Sequence, residues 1–91
     1  MRKCALVTGA GSRIGRSLAM ALAEDGHDVA IHYSNSETEA NDTADAISAL
    51  GGMAVALRAD LADSVQCQNL IERASNDLGH PLTVLINTVK G

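Results

Sequence analysis

The chain has 91 residues, room for one domain around one modest core. Hydrophobic residues make up 46% of it and Tyr33 is the only aromatic side chain, so the core must be aliphatic. The formal net charge is −4 and no run of Lys or Arg occurs, which argues against a nucleic-acid face and against an anionic membrane surface.

The apolar run Cys4–Val7 is short, continuous and followed by glycine, as suits a strand buried on both faces. A helix comes next, with Ile14, Leu18, Ala21 and Leu22 as its expected buried stripe and Gly26 as its stop. Val29–Tyr33 is a second apolar run. Ser36, with Glu39 three residues on, predicts a capping box for a second helix whose inner face is Ala40, Ala44 and Ile47 and whose end is Gly51-Gly52. Met53–Ala59 reads as a third strand. Asp63 with Gln66 predicts the cap of a third helix, its inner face Cys67, Leu70, Ile71, Ala74 and Leu78. Gly79 and Pro81 stop that helix, and Leu82–Ile86 is the fourth strand.

The resulting order, βαβαβαβ over residues 1–91, predicts an α/β domain with parallel strands and right-handed crossovers. This is one half of a Rossmann-type, doubly wound fold, with an expected strand order of 3-2-1-4. Neither linker nor repeat divides the chain. Cys4 and Cys67 form neither a metal motif nor a redox pair and read as small buried thiols. Thr8-Gly9 interrupts the first apolar run, and no segment approaches the ~18 apolar residues of a membrane span, so the expected compartment is the cytoplasm. His27 and His80 lie at predicted turns and are expected to face solvent. The carboxylates of Glu37, Glu39, Asp60 and Asp63 fall at helix starts, where negative charge is stabilising.

Ligands of such sheets bind at the carboxyl ends of the strands, where the strand order reverses. Thr8–Gly15 lies there. Gly9 lets the chain leave the strand, and Gly15, on the first helical turn, permits close packing of helix on strand. The N–H groups around Ser12, Arg13 and Ile14 lack partners within the helix and stand at the positive end of its dipole, a ready pyrophosphate site. A glycine loop placed between a buried strand and an amphipathic helix points to a dinucleotide.

Thr8-Gly9-Ala10-Gly11-Ser12-Arg13-Ile14-Gly15 resembles the Thr-Gly-x-x-x-Gly-x-Gly fingerprint of the short-chain dehydrogenase/reductase family. Arg13 stands where most members carry the middle glycine. With Arg16, Ser17 and His32-Tyr33-Ser34-Asn35-Ser36, it is similar to the pteridine-reductase branch, including dihydromonapterin-type reductases. The resemblance implies that Asp60-Leu61 contacts adenine and that Val84-Leu85-Ile86-Asn87 begins the family's Asn-Asn-Ala-Gly strand end. It also implies an oxidoreductase acting on a carbonyl or pterin by hydride transfer. His32 has a second reading as a packed strand histidine, and Asp60 as a helix-entry residue.

NAD-selective sites carry a carboxylate at the end of strand two. Here Tyr33-Ser34-Asn35-Ser36 has none before Glu37, and Arg13 offers a charge-assisted hydrogen bond, so NADP(H) is expected over NAD(H). Family catalysis uses a Tyr-x-x-x-Lys pair, whereas Tyr33 is followed four residues on by Glu37. No catalytic residue is therefore assigned. The tail Thr88-Val89-Lys90-Gly91 departs from the family, and truncation, frameshift and divergence all account for it. Cofactor binding without turnover is expected of these 91 residues, with a small-molecule substrate only for a longer form. A non-catalytic dinucleotide-binding module is the alternative, as is association through an exposed edge at 82–86.

Overall fold

The computed structural model describes residues 3–9, 13–60, 62–79 and 81–87. Ser12, Leu61 and His80 lie outside the described residues, as do the side chains of Cys67 and Asn87. The elements run β1 (Lys3–Thr8), α1 (Arg13–Glu24), β2 (His27–Tyr33), α2 (Glu37–Ala49), β3 (Ala54–Arg58), α3 (Ser64–Leu78) and β4 (Leu82–Asn87). All strand pairs are parallel and the order is β3-β2-β1-β4, as the alternating pattern predicts.

The sheet separates two apolar layers. Val7, Val29 and Ile31 face α1 and α2, where they meet Ala19, Ala40, Ala44 and Ile47. Cys4, Leu6, Ala30 and Leu57 face α3 and meet Leu70, Ala74 and Leu78. Two-residue alternation along each strand divides the side chains this way. The reversal of strand order after β3 carries α3 to the opposite layer, so the first three crossovers already cover both faces.

Several expectations need correction. Ile14 is 68% exposed and Ala21 is exposed; Gly15 and Ala19 are the buried residues of α1. The helix turns its smallest side chains to the sheet because close approach leaves no room there for a branched one. Ile71 is likewise exposed on α3. Ser36 occupies the N-cap of α2 but its side chain makes no capping bond, so the expected box does not form. His27 is buried, its Nδ1–H donating to the Leu22 carbonyl at 3.1 Å. Asp28 beside it is also buried and accepts the Met53 N–H at 3.3 Å. With those groups satisfied, β2 starts two residues earlier than its apolar run.

The helix ends follow the glycines. At the end of α2, Gly51 has φ +89°, its N–H donates to Ser48 and that of Gly52 to Ile47. These two hydrogen bonds satisfy two carbonyls that the last turn would leave open.

Candidate functional site

The carboxyl ends of the four strands lie side by side. Register places Thr8 beside Asn87, Val7 beside both Ile31 and Ile86, and Tyr33 beside Arg58. Loops leaving those ends are held by a small set of bonds. The Thr8 hydroxyl donates to the Ile86 carbonyl at 3.4 Å, tying β1 to β4. Gly9 then turns with φ +71°, a conformation that costs a side chain 1–2 kcal/mol by order of magnitude.

The α1 helix begins at Arg13, so its first N–H groups open toward the same end of the sheet. Arg13 and Ile14 are exposed there, while Gly15 is buried against the sheet. The fingerprint residues Thr8, Gly9, Arg13, Ile14 and Gly15 thus occupy one strand exit and one helix entry.

His32 does not present its ring at the surface. It is 1% exposed, and both ring nitrogens are engaged: Gly9 N–H donates to Nδ1 at 3.1 Å, and Nε2 meets the Ala59 carbonyl at 2.9 Å. Its place in the site is behind the loop.

The exit of β2 forms one wall of a pocket of ≈ 180 Å³ lined by Ser34, Asn35, Arg58, Ala59 and Asp60. Ser34 donates to the Ala59 carbonyl at 3.4 Å, closing β2 against β3. Asn35 and Ser36 are exposed. Tyr33 donates its hydroxyl to Glu37 Oε2 at 3.3 Å. Desolvation, and then the charge and hydrogen bond of Glu37, push the phenol above its ordinary pKa, with Arg58 and Arg73 pulling the other way.

The β3–α3 connection forms the other wall. Asp60 N–H donates to Gln66 Oε1 at 2.8 Å, and Asp60 Oδ1 accepts the Ala62 N–H at 3.0 Å. Asp63 caps α3 by accepting from Val65 and Gln66, and those bonds hold its carboxyl below the usual range. Asp60 is therefore fixed on its backbone while its carboxylate remains at the pocket.

Arg58 is the residue that motif reading passes over. It is exposed at the end of β3, and its carbonyl accepts Arg73 Nη1–H at 3.0 Å. The fingerprint does not include it. The available signal is register: a parallel neighbour puts residue 58 next to Tyr33, where a 2′-phosphate-reading surface would lie. The donors Asn35 and Arg58 suit a phosphorylated ribose on the β2 side of the pocket, where Glu37 already accepts a phenol, while Asp60 puts one carboxylate on the opposite wall.

Comparison with known proteins agrees with this geometry. Residues 3–90 match the model of the short chain dehydrogenase family. The chain is 44% identical over 85 residues to an uncharacterized oxidoreductase of Methylorubrum extorquens, covering 93% of this chain and 34% of that protein. It is 39% identical over 87 residues to the short-chain dehydrogenase/reductase homolog YusS of Bacillus subtilis, covering 96% of this chain and 79% of the other. Among solved structures, FolM alternative dihydrofolate reductase 1 from Brucella canis, complexed with NADP, superposes with a TM-score of 0.83 at 36% identity over 91% of this chain and 33% of that one. The 91 residues thus span about a third of the first and last of these proteins. Fingerprint, sheet order and sequence matches agree: the chain belongs to the short chain dehydrogenase family.

Proposed function

We propose that these residues form the NADP(H)-binding half of an oxidoreductase that reduces a carbonyl or pterin-type substrate. The observation that carries the reading is the exit of β2, where Ser34 and Asn35 line a pocket in place of an acid and Arg58 adds a cation to it. A carboxylate at the end of β2 would repel a 2′-phosphate; there the Asn35 amide and the Arg58 guanidinium donate to it instead, with the Asp60 carboxylate on the other wall, toward the adenine. Thr8, Gly9 and the backbone at the start of α1 take the pyrophosphate, the Arg13 side chain bonds the 2′-phosphate, and Asp60 with Leu61 take the adenine side. Asn87 stands beside Thr8 in the register. When bound, the nicotinamide supplies the hydride.

Support for the pteridine branch comes from Arg13, the His32-Tyr33 segment and the NADP complex of the Brucella reductase. Tyr33 is the only tyrosine and Glu37 stands four residues on, so these 91 residues hold no Tyr-x-x-x-Lys pair. A cytoplasmic location is part of the same reading; among the described residues no helix is long and apolar enough to cross a membrane.

The test is a titration of the chain with NADPH and with NADH, followed by cofactor fluorescence or calorimetry. NADPH should bind more tightly, and Arg13→Ala should erode the difference. A folded chain that binds neither overturns the reading. A Tyr-x-x-x-Lys downstream in the coding sequence would separate the enzyme from a binding-only module.

A further inference from the structure

We propose that His32 is a positioning residue of the dinucleotide site, a neutral imidazole that sets the Gly9 peptide against the β3–α3 connection. The inference rests on the cofactor reading above and deepens it.

The geometry dictates the tautomer. A backbone N–H only donates, so Nδ1, 3.1 Å from Gly9 N, carries no proton. A carbonyl only accepts, so Nε2, 2.9 Å from Ala59 O, carries one. Every polar atom of the ring is thereby used, inside a site 1% exposed, where breaking either bond leaves a buried group without a partner.

The two partners give the ring its role. Gly9 is the first residue of the turn that carries the fingerprint, held at φ +71°. Ala59 immediately precedes Asp60 at the pocket, and its carbonyl also accepts the Ser34 hydroxyl. One side chain on the central β2 therefore links the exits of β1 and β3, the two places where the pyrophosphate and the adenine of a dinucleotide would lie. An aliphatic residue at 32 would fill the same layer but set neither peptide.

Long-range proton–nitrogen NMR of the imidazole tests the tautomer directly: Nε2 protonated and Nδ1 bare is expected, and a proton on Nδ1 overturns the proposal. Two variants then divide the ring's bonds. His32→Asn keeps an acceptor near the Nδ1 position for Gly9, whereas His32→Gln keeps a donor near Nε2 for Ala59. NADPH affinity should fall about tenfold or more in the Gln variant and within about threefold in the Asn variant, a difference that a purely structural role would not produce. Losses that are equal in both, or that simply follow the unfolding midpoints, overturn the role while leaving the cofactor reading intact. A native chain that binds no cofactor removes both. Should the Gln variant fail to fold, amide exchange at Gly9 in the native chain decides: protection like that of the strand amides supports the tie, and loop-like exchange overturns it.

Discussion

Tyr33 and Glu37 close a short bridge across the start of α2, the phenol donating to the carboxylate at 3.3 Å. Of the residues between them, Ser34 and Asn35 line the pocket. Since Tyr33 is the only aromatic residue, its ionisation can be followed by absorbance without interference. It should titrate above the ordinary value of 10.0, first because the ring is desolvated and then because Glu37 opposes a second negative charge. Glu37→Gln should lower the midpoint without restoring it fully. The sign for stability follows: the neutral phenol favours the fold at all pH below its unfolded value, and the contribution disappears as pH rises through the folded one. A midpoint at or below 10.0 in the native chain would contradict the bridge.

Asp63 offers the opposite sign. Its carboxylate accepts the N–H groups of Gln66 and Val65 and the Gln66 amide, and these bonds lower its pKa. Its stabilisation is present above the ordinary value of 3.8 and is lost as pH falls through the folded value. Asp63→Ala should lower Tm at neutral pH by several degrees, roughly 3–8 °C for a chain of this size, and flatten the acid limb of the stability profile. An unchanged acid limb would show that the cap does not titrate with the fold.

The contrast between Ser36 and Asp63 shows what was legible and what was not. Both stand three residues before a Glu or Gln, and both do occupy N-caps, so the helix starts were readable. Only Asp63 makes the bonds. The alternating pattern likewise predicts the strand order, because short buried runs joined by helices leave few topologies. What fails is azimuth: Ile14 and Ile71 fit a helical stripe in sequence yet point outward, because α1 turns Gly15 and Ala19 to the sheet and α3 turns Leu70, Ala74 and Leu78. At the site, the fingerprint locates the β1 exit, whereas Arg58 depends on strand register, which no local pattern encodes.

Arg58 provides a selectivity test independent of the fingerprint. Its side chain is exposed at the pocket beside Ser34 and Asn35, and its removal leaves no core cavity. Arg58→Ala should weaken NADPH about three- to tenfold, in line with one partly solvated charge-assisted bond, and leave NADH within about twofold. The NADPH advantage should also shrink as salt is added. Equal losses for both cofactors would place Arg58 outside the 2′-phosphate subsite.

The two edges of the sheet differ in how they meet a second chain. On β3, Arg58 is charged and Arg73 already occupies its carbonyl, which blunts that edge. On β4, Leu85 is 55% exposed and Val84 and Ile86 are only partly covered, although strands of a parallel sheet are ordinarily buried on both faces. Among the described residues β4 pairs with β1 alone. The chain should therefore self-associate through β4, with the mass from light scattering rising over the micromolar range. Leu85→Lys should return it to a monomer, because a lysine there must be desolvated to pair, while Tm changes little at so exposed a position. A native chain that stays monomeric throughout that range would rule out this edge as a contact between copies.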